Sequence, residues 1–454
     1  MWGEEGAVQG NCAKVARREM RLKVEKLIYG GWGLGRLEGQ VVLVPRVLPE
    51  EEVEVRVERQ RRDYLVASPV EVVEPAEGRI EPPCPHFDDC GGCDYQHIRY
   101  DLQVRFKEEI LKEELKRLGG IDPEVVEPML GAQDPLGWRL RVDMAVVVLD
   151  RLRVGFYRRG TQEVVAVGRC PVAHELASEV LQRFCQALER RLNLARAVRR
   201  VEVAVSPYEG KGHLIIYSLV HHDRRRMGTL AEELSVECGV LKDVLLKHRA
   251  LVFPHSLLGK GRTASALRLR PCGVELLCYP GVFFQANAEQ NERLIHLLKE
   301  ALSPGVGKVV ELFCGMGNLS LPLAPLASSW VGVERDPLAV RNANYNAQLN
   351  EVKGLRFLQG EAVRVLRGMV QEGEGCQLLL LDPPRKGALE ELKVALSLGP
   401  ERIIYVSCNP ATLARDLKFL LGEGYDLERV IPLDFFPQTH HIEAVAFLKR
   451  RISS

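Results

Sequence analysis

The chain has 454 residues, 46% of them hydrophobic and 27% charged, a balance that excludes a disordered polymer and allows two or three globular domains. Its formal net charge is only +1, so no global basic field marks a nucleic-acid binder and any anionic partner must be met by a local patch. The first twenty residues lack an apolar core of signal-peptide length, and runs such as Met144 to Leu149 and Leu378 to Leu381 are too short to span a bilayer, which argues against secretion and membrane insertion. Twelve cysteines in such a chain point to a reducing, cytoplasmic setting where thiols serve metals or catalysis.

In chain order, residues 20–78 alternate apolar and polar at period two, punctuated by Gly30, Gly31, Gly33, Gly35, Pro45 and Pro49, and predict a small β-barrel. Cys84, Cys90 and Cys93 follow in PPCPHFDDCGGC, with Cys170 in VGRCPVAH as a distant fourth thiol. Clustered thiols suit zinc or an iron-sulfur cluster; the spacing lacks the two matched CxxC pairs of a zinc ribbon, while His86 and His97 keep zinc open. Leu102, Phe106, Ile110, Leu111, Leu115 and Leu118 fall at three- and four-residue steps, predicting one amphipathic helix over 101–118 that stops at Gly119-Gly120. Between about 138 and 280, strands such as RVDMAVVVL and HLIIYSLV mix with helical stretches, so 79–282 is read as a central α+β domain. It holds arginines in clusters: Arg139 and Arg141, Arg158 and Arg159, Arg190 and Arg191, Arg199 and Arg200, and Arg224 to Arg226. Solvated helix faces explain most such pairs, yet several within one domain are what RNA phosphates would require. Cys12, Cys185, Cys238, Cys272, Cys278, Cys314 and Cys376 show no grouping, and ordinary packing is expected of them.

From 283 to 454 the pattern is strand, glycine turn, helix, repeated, with VVELF, WVGVE, LLLLD and IIYVS as strands buried on both faces: a doubly wound parallel sheet. In VVELFCGMGN a strand ends in a tight turn at Gly315 and Gly317, and Glu334 follows nineteen residues after Gly315 at the end of the next strand, placed to accept from ribose hydroxyls. The turn does not supply GxGxxG, so an adenosine and amino-acid site is better supported than a pyrophosphate site. Asp382 ends LLLLD before two prolines, and Cys408 ends the next strand ahead of a helix whose N-terminal amides would favour a thiolate.

These motifs carry a resemblance. GVFFQAN around Gln285, ELFCGMGN with Phe313 and Asn318, VGVE ending in Glu334, LDPPRKG with Asp382, YVSCNPATLARD with Cys408 and FPQTHHIEAV with Glu443 together resemble the uracil-C5 RNA methyltransferases that make 5-methyluridine in bacterial tRNA and rRNA. The resemblance implies a Rossmann-like domain using S-adenosylmethionine, with Cys408 as nucleophile, Glu443 as base, and Gln285, Phe313, Asn318, Glu334 and Asp382 around the methyl donor. It implies that Cys84, Cys90, Cys93 and Cys170 hold a [4Fe-4S] cluster of structural role. The N-terminal segment resembles the TRAM domain, an OB-like RNA-binding barrel, where Trp32, Arg36, Arg61 and Arg62 would meet RNA. No membrane and no obligate protein partner is expected. Cytosine-C5 methylation and a non-catalytic iron-sulfur RNA-binding protein are the alternative readings, and which RNA is modified is not implied.

Overall fold

A computed structural model describes residues 19–219, 224–249, 251–302 and 305–451; Cys12 and the side chain of Arg224 lie outside the described residues. The chain divides into two compact units, Met1–Glu81 with His97–Arg99, and Pro82–Gln96 with Tyr100–Ser454.

The first unit is a closed barrel of β1 (Glu19–Ile28), β2 (Trp32–Leu37), β3 (Gln40–Pro45), β4 (Glu52–Gln60) and β5 (Tyr64–Glu74), joined in the order β1-β2-β3-β5-β4. The period-two pattern fills it: Leu22, Val24, Val42, Val44, Val53 and Val55 point inward and are buried. Gly35 lets β1 pass close by, since a Cβ there would overlap the Lys23 carbonyl and the Leu22 side chain. Wholly buried Glu51 accepts from the Leu48 N–H (2.8 Å) and from Arg79 Nη2 (2.8 Å). Trp32 is half-buried, Arg36 pairs with Glu25, and Arg61 and Arg62 are exposed.

The second unit opens with helix Tyr100–Glu114, continued by a π-helical turn, Leu115–Gly119. The expected helix is present, but its last turn is widened where Gly119 lies against helix Pro410–Gly422; a Cβ on Gly119 would stand 3.1 Å from the Ala414 carbonyl. Gly120, at φ +66°, caps it and returns its N–H to Lys116 O at 3.0 Å. A mixed sheet follows, built from β6 (Arg141–Val148), β7 (Leu152–Tyr157), β8 (Val164–Ala166), β9 (Val198–Ser206), β10 (Lys211–Ser218), β11 (Leu241–Lys247) and β12 (His255–Ser256) in the order β12-β11-β10-β9-β6-β7-β8. Helices Glu175–Glu189 and Arg224–Glu237 bury Phe184, Leu230 and Leu234 with Val201, Val203, Leu214 and Ile216 of this sheet. After the hairpin β13 (Leu267–Leu269) and β14 (Leu276–Cys278) comes the doubly wound sheet. Its strands are β15 (Val306–Leu312), β16 (Ala327–Glu334), β17 (Leu355–Gln359), β18 (Leu378–Leu381), β19 (Arg402–Ser407), β20 (Tyr425–Leu433) and β21 (Glu443–Arg450), ordered β17-β16-β15-β18-β19-β21-β20. Strands β15 to β19 run parallel, and β21 pairs antiparallel with both β19 and β20.

One apolar core continues from the central sheet through Leu276, Leu277 and Tyr279 to Ala339, Ala343 and Phe357, which is why the regions read as 79–282 and 283–454 share one compact unit from Pro82 onward. The buried amides of Asn342 and Asn346 fix that seam by accepting from Tyr279 N and Leu277 N, both at 2.9 Å.

Fully buried Lys107 reaches from helix Tyr100–Glu114 to Asp434 Oδ1 (2.7 Å) and Phe436 O (3.0 Å), while Tyr100 donates to Asp434 Oδ2 (3.0 Å). Breaking such a pair strands a buried charge. Lys107→Met is expected to lower stability by about 3–5 kcal/mol in urea unfolding, and adding Asp434→Leu to recover part of the loss; two independent, additive losses would contradict this reading.

Candidate active site

The chemistry-bearing residues collect at the C-terminal edge of the doubly wound sheet, where open α/β sheets bind ligands. Beyond β15 the chain turns sharply: Phe313 (φ +63°), Gly315 (φ +56°) and Gly317 (φ +88°) all adopt left-handed backbone, and a Cβ on Gly317 would overlap Leu321. A non-glycine residue in that region costs on the order of 1–3 kcal/mol, so Phe313 is held there by its surroundings. The turn brings the Gly315 N–H to Glu334 Oε2 at 3.2 Å, and the Asp336 N–H donates to Oε1 at 2.7 Å. Each Glu334 oxygen thereby has one fixed donor and keeps acceptor capacity for a hydroxyl.

Gln285 and Asn318 line one pocket of about 220 Å³ with Asn291, Phe284, Leu140 and Tyr208. The amides of Asn291 and Asn318 bond reciprocally, at 3.0 and 2.8 Å. Gln285 Nε2 donates to Asp382 Oδ2 at 3.5 Å. Phe313, Glu334 and Asp382 are not among the residues lining that pocket, although they lie along the same strand edge.

Cys408 directly follows β19, and the ladder register pairs Ser407 with Ala444. Glu443, the first residue of β21, precedes Ala444, and its carboxylate comes near enough to act on the Cys408 thiol. Asn409 caps helix Pro410–Gly422 by accepting from Ala411 N (3.1 Å), and its Nδ2 donates to Arg385 O (3.0 Å). The surroundings of Cys408 oppose the expected thiolate. Burial first, then the Glu443 and Asp382 carboxylates, push the Cys408 thiol up to about 12, against a smaller opposing pull from Arg385. The nearby helix end does not reverse this, because the Asn409 side chain already occupies the Ala411 N–H. Burial raises Asp382 to about 7, and burial plus the Asp382 charge raise Glu443 well above the usual carboxylate range.

Several participants were not singled out in the sequence. Asn291 stands one helical turn from the N-cap Asn287, a spacing that could have drawn attention to it. Glu311 lies within the quoted ELFCG motif and reads there as a strand end; it is buried, accepts from the Trp330 indole at 2.8 Å and from Ser320, and burial lifts it to about 8. Arg385 Nη2 stands 3.1 Å from Nε2 of His441, whose ring burial holds at about 3, neutral.

Cys84, Cys90, Cys93 and Cys170 line one pocket with Phe87, Gln96, Arg139 and Val172, and neither His86 nor His97 lines it. Among the described residues, no three His, Cys, Asp or Glu side chains stand in a metal-holding arrangement. The four thiols nonetheless influence one another: Cys170 and Cys90 add to the burial that raises Cys93 to about 12. Of the remaining cysteines, Cys238, Cys278, Cys314 and Cys376 are buried, while Cys185 and Cys272 are partly so. No helix among the described residues is long and apolar enough to cross a membrane.

A glycine turn answered by Glu334, beside a thiol facing a carboxylate on the same sheet edge, defines a Rossmann-like methyltransferase. The family model described as tRNA (Uracil-5-)-methyltransferase matches residues 99–451, and the TRAM domain model matches 14–70. The sequence is 33% identical over 442 residues to an "Uncharacterized RNA methyltransferase" of Aquifex aeolicus, covering 95% of this chain and 99% of that one. It is 35% identical over 437 residues to the 23S rRNA (uracil(1939)-C(5))-methyltransferase RlmD of Pseudomonas entomophila, covering 95% and 94%. The Pyrococcus abyssi tRNA (uracil-54, C5)-methyltransferase, solved in complex with S-adenosyl-L-homocysteine, has a TM-score of 0.73 at 26% identity, covering 94% of this chain and all of that one. The chain belongs to the tRNA (uracil-5)-methyltransferase family and carries a TRAM domain.

The raised carboxylates have a stability consequence. Their protonated forms are favoured in the folded state, so their contribution is full below about pH 4, near the ordinary values of 3.8 and 4.5, and is lost as pH rises through the folded value of Asp382 near 7. Glu443→Gln is therefore expected to raise the melting temperature by a few degrees at pH 8, with the gain vanishing at pH 4; a loss of stability at pH 8 would contradict it.

Proposed function

We propose that the chain transfers the methyl group of S-adenosylmethionine to C5 of a uracil in RNA through a transient bond from Cys408 Sγ to C6. The observation that carries this reading is the antiparallel β19–β21 pairing, which brings the Cys408 thiol and the Glu443 carboxylate close together beside Asp382. C5 of uracil is a poor nucleophile. Addition of sulfur at C6 moves the C5=C6 electron pair to give an enolate whose C5 can attack an electrophilic methyl. The sulfonium donor supplies that methyl when bound. Its adenosine and amino-acid parts fit Glu334, with its remaining acceptor capacity, and the amide-lined pocket of Gln285, Asn291 and Asn318; Phe313 and Asp382 border it on the same edge.

The chain's residues then manage two protons. Cys408 must lose its proton before attack, an uphill loss because the buried thiol holds it more tightly than Asp382 would; Asp382 is the neighbouring carboxylate that can receive it, leaving an ionised Glu443 for the second proton. After methylation, Glu443 removes the C5 proton, the electron pair re-forms C5=C6, and the Cys408 thiolate leaves. The uracil must be out of any stack to be reached, which costs a few kcal/mol.

Ribosomal RNA is the favoured substrate, since the relative with that name covers nearly the whole chain at the higher identity, and tRNA is the alternative. The four cysteines are read as the seat of a [4Fe-4S] cluster with a structural role: the all-thiol donor set around one pocket suits iron, and binding would displace the protons that burial favours on Cys84 and Cys93.

RNA contact is assigned to the open face of the central sheet. Arg141, Arg158, Arg159, Arg190, Arg191 and Arg200 are each spent on a carboxylate of the protein itself. A cavity of about 870 Å³ on that face is lined by Arg199, Arg200, Lys247, His248 and Arg249 with Tyr157 and Tyr217. Gly155, Ala145, Arg200, Tyr217 and Lys247 form one rung across five strands. Small residues floor the groove, and cations with aromatic rings edge it, as a single strand's phosphates and bases require.

Transfer is read directly with RNA tritiated at C5 of uridine: the protein and donor are expected to release tritiated water, and Cys408→Ala to lower the rate at least about a thousandfold. Release only from C5-tritiated cytidine would overturn the uracil assignment. For the groove, Arg199→Ala with Arg249→Ala is expected to flatten the fall of log affinity with log salt by about 1–2 while donor affinity holds; an unchanged slope would remove the groove from the RNA path.

A further inference from the structure

We propose that Asp94, the residue after Cys93, is a positioning residue that ties the cysteine loop to the 438–441 segment leading into Glu443. Asp94 is buried, and its Oδ2 accepts from the His440 backbone N–H (3.0 Å) and meets His440 Nδ1 (2.6 Å). The backbone N–H groups of Asp94 and Tyr95 both donate to Gln438 O, at 2.9 and 3.0 Å. Two residues of the catalytic segment's approach, Gln438 and His440, are thus gripped by two consecutive residues of the cysteine loop.

The segment needs such a grip. Gln438 has a left-handed backbone (φ +69°), which a β-carbon resists, and its side chain and N–H are held by Gln103 at 2.9 and 3.1 Å. Just past it, His441 donates its N–H to Thr439 Oγ1 (3.3 Å) and its ring meets Arg385. Two residues later comes Glu443. On the other side, the cysteine loop is fixed to the end of β7: Gly91 N–H donates to Tyr157 O (3.0 Å), Arg159 Nη2 donates to Cys93 O (3.3 Å), and Arg159 also pairs with Asp94. A Cβ on Gly91 would stand 2.8 Å from Tyr157 O, so the approach is tight.

A group bound by Cys84, Cys90, Cys93 and Cys170 would therefore set, through Asp94, where the base stands relative to a target ring. Misplacing a catalytic group by about 1 Å can cost on the order of a hundredfold in rate. The role needs no electron transfer, and it links the cysteine site to the elimination step rather than to donor binding.

This inference rests on Glu443 being the base that releases the Cys408 adduct. The test uses the full-length protein with Asp94→Ala, His440→Ala and both together. Each single variant is expected to lower turnover roughly tenfold or more, the usual effect of losing a charge-assisted hydrogen bond. A denaturant-stable protein–RNA adduct should accumulate on unmodified RNA, because elimination slows. Hydrogen exchange in 436–443 should rise, and calorimetric affinity for S-adenosylmethionine should stay as in the parent. The double variant is expected to be no worse than either single one. Parent-like turnover without adduct, or losses that simply add, would overturn the coupling. His440→Ala leaves the cysteine loop untouched, so a failure of Asp94→Ala to fold does not block the test. If the parent protein gives no adduct even with 5-fluorouridine RNA, the reading of Cys408 and Glu443 fails instead.

Discussion

Antiparallel pairing of β21 with β19 is the constraint on which the chemistry depends. In an all-parallel sheet the last strand would present its C-terminal end at the catalytic edge. Reversal brings the first residue of β21 there, so Glu443 comes near the thiol of Cys408, the residue after β19. Strand pairing then governs how near the thiol and the carboxylate come, the kind of precision that the proposed covalent catalysis needs.

The same placement stores a cost. Asp382, Glu443 and Glu311 crowd a water-poor strand edge, each with its proton held more tightly than in water. A fold tolerates such groups where function requires them and offsets them elsewhere. Here the offset includes the apolar seam joining the two sheets and the polar anchoring of the crossing from β20 to β21, where Lys107 and Tyr100 hold Asp434 and Gln103 holds Gln438. Helix Tyr100–Glu114 is therefore part of the catalytic edge's support, although it lies more than 300 residues upstream in sequence.

Much of the architecture was legible because burial leaves a pattern. Strands such as LLLL and IIYVS are apolar on both faces, and the barrel strands alternate, so periodicity separated the doubly wound sheet from the barrel. The place of Glu334, at a strand end beside the glycine turn, was readable from its spacing. What a periodic pattern does not carry is strand order and direction: nothing in HHIEAVAFLK says that this strand runs antiparallel, and the partners of Glu443 follow only from that. The thiolate expected of Cys408 is opposed for a related reason. Proximity to a helix start is local and visible, whereas burial of the thiol, and after it the carboxylates of Glu443 and Asp382 brought in from elsewhere in the sequence, are not. The arginine pairs of the central region likewise looked free in sequence, yet distant acids such as Glu202, Glu233 and Asp143 claim most of them.

The central claim is that one sulfur, on Cys408, bonds the pyrimidine ring. Peptide mass mapping of the complex formed with 5-fluorouridine RNA and S-adenosylmethionine tests it most directly, because fluorine at C5 cannot leave as a proton and the bond persists. The account predicts a nucleotide attached at Cys408 and nowhere else; attachment at any other cysteine, or none despite methyl transfer to ordinary RNA, would contradict it.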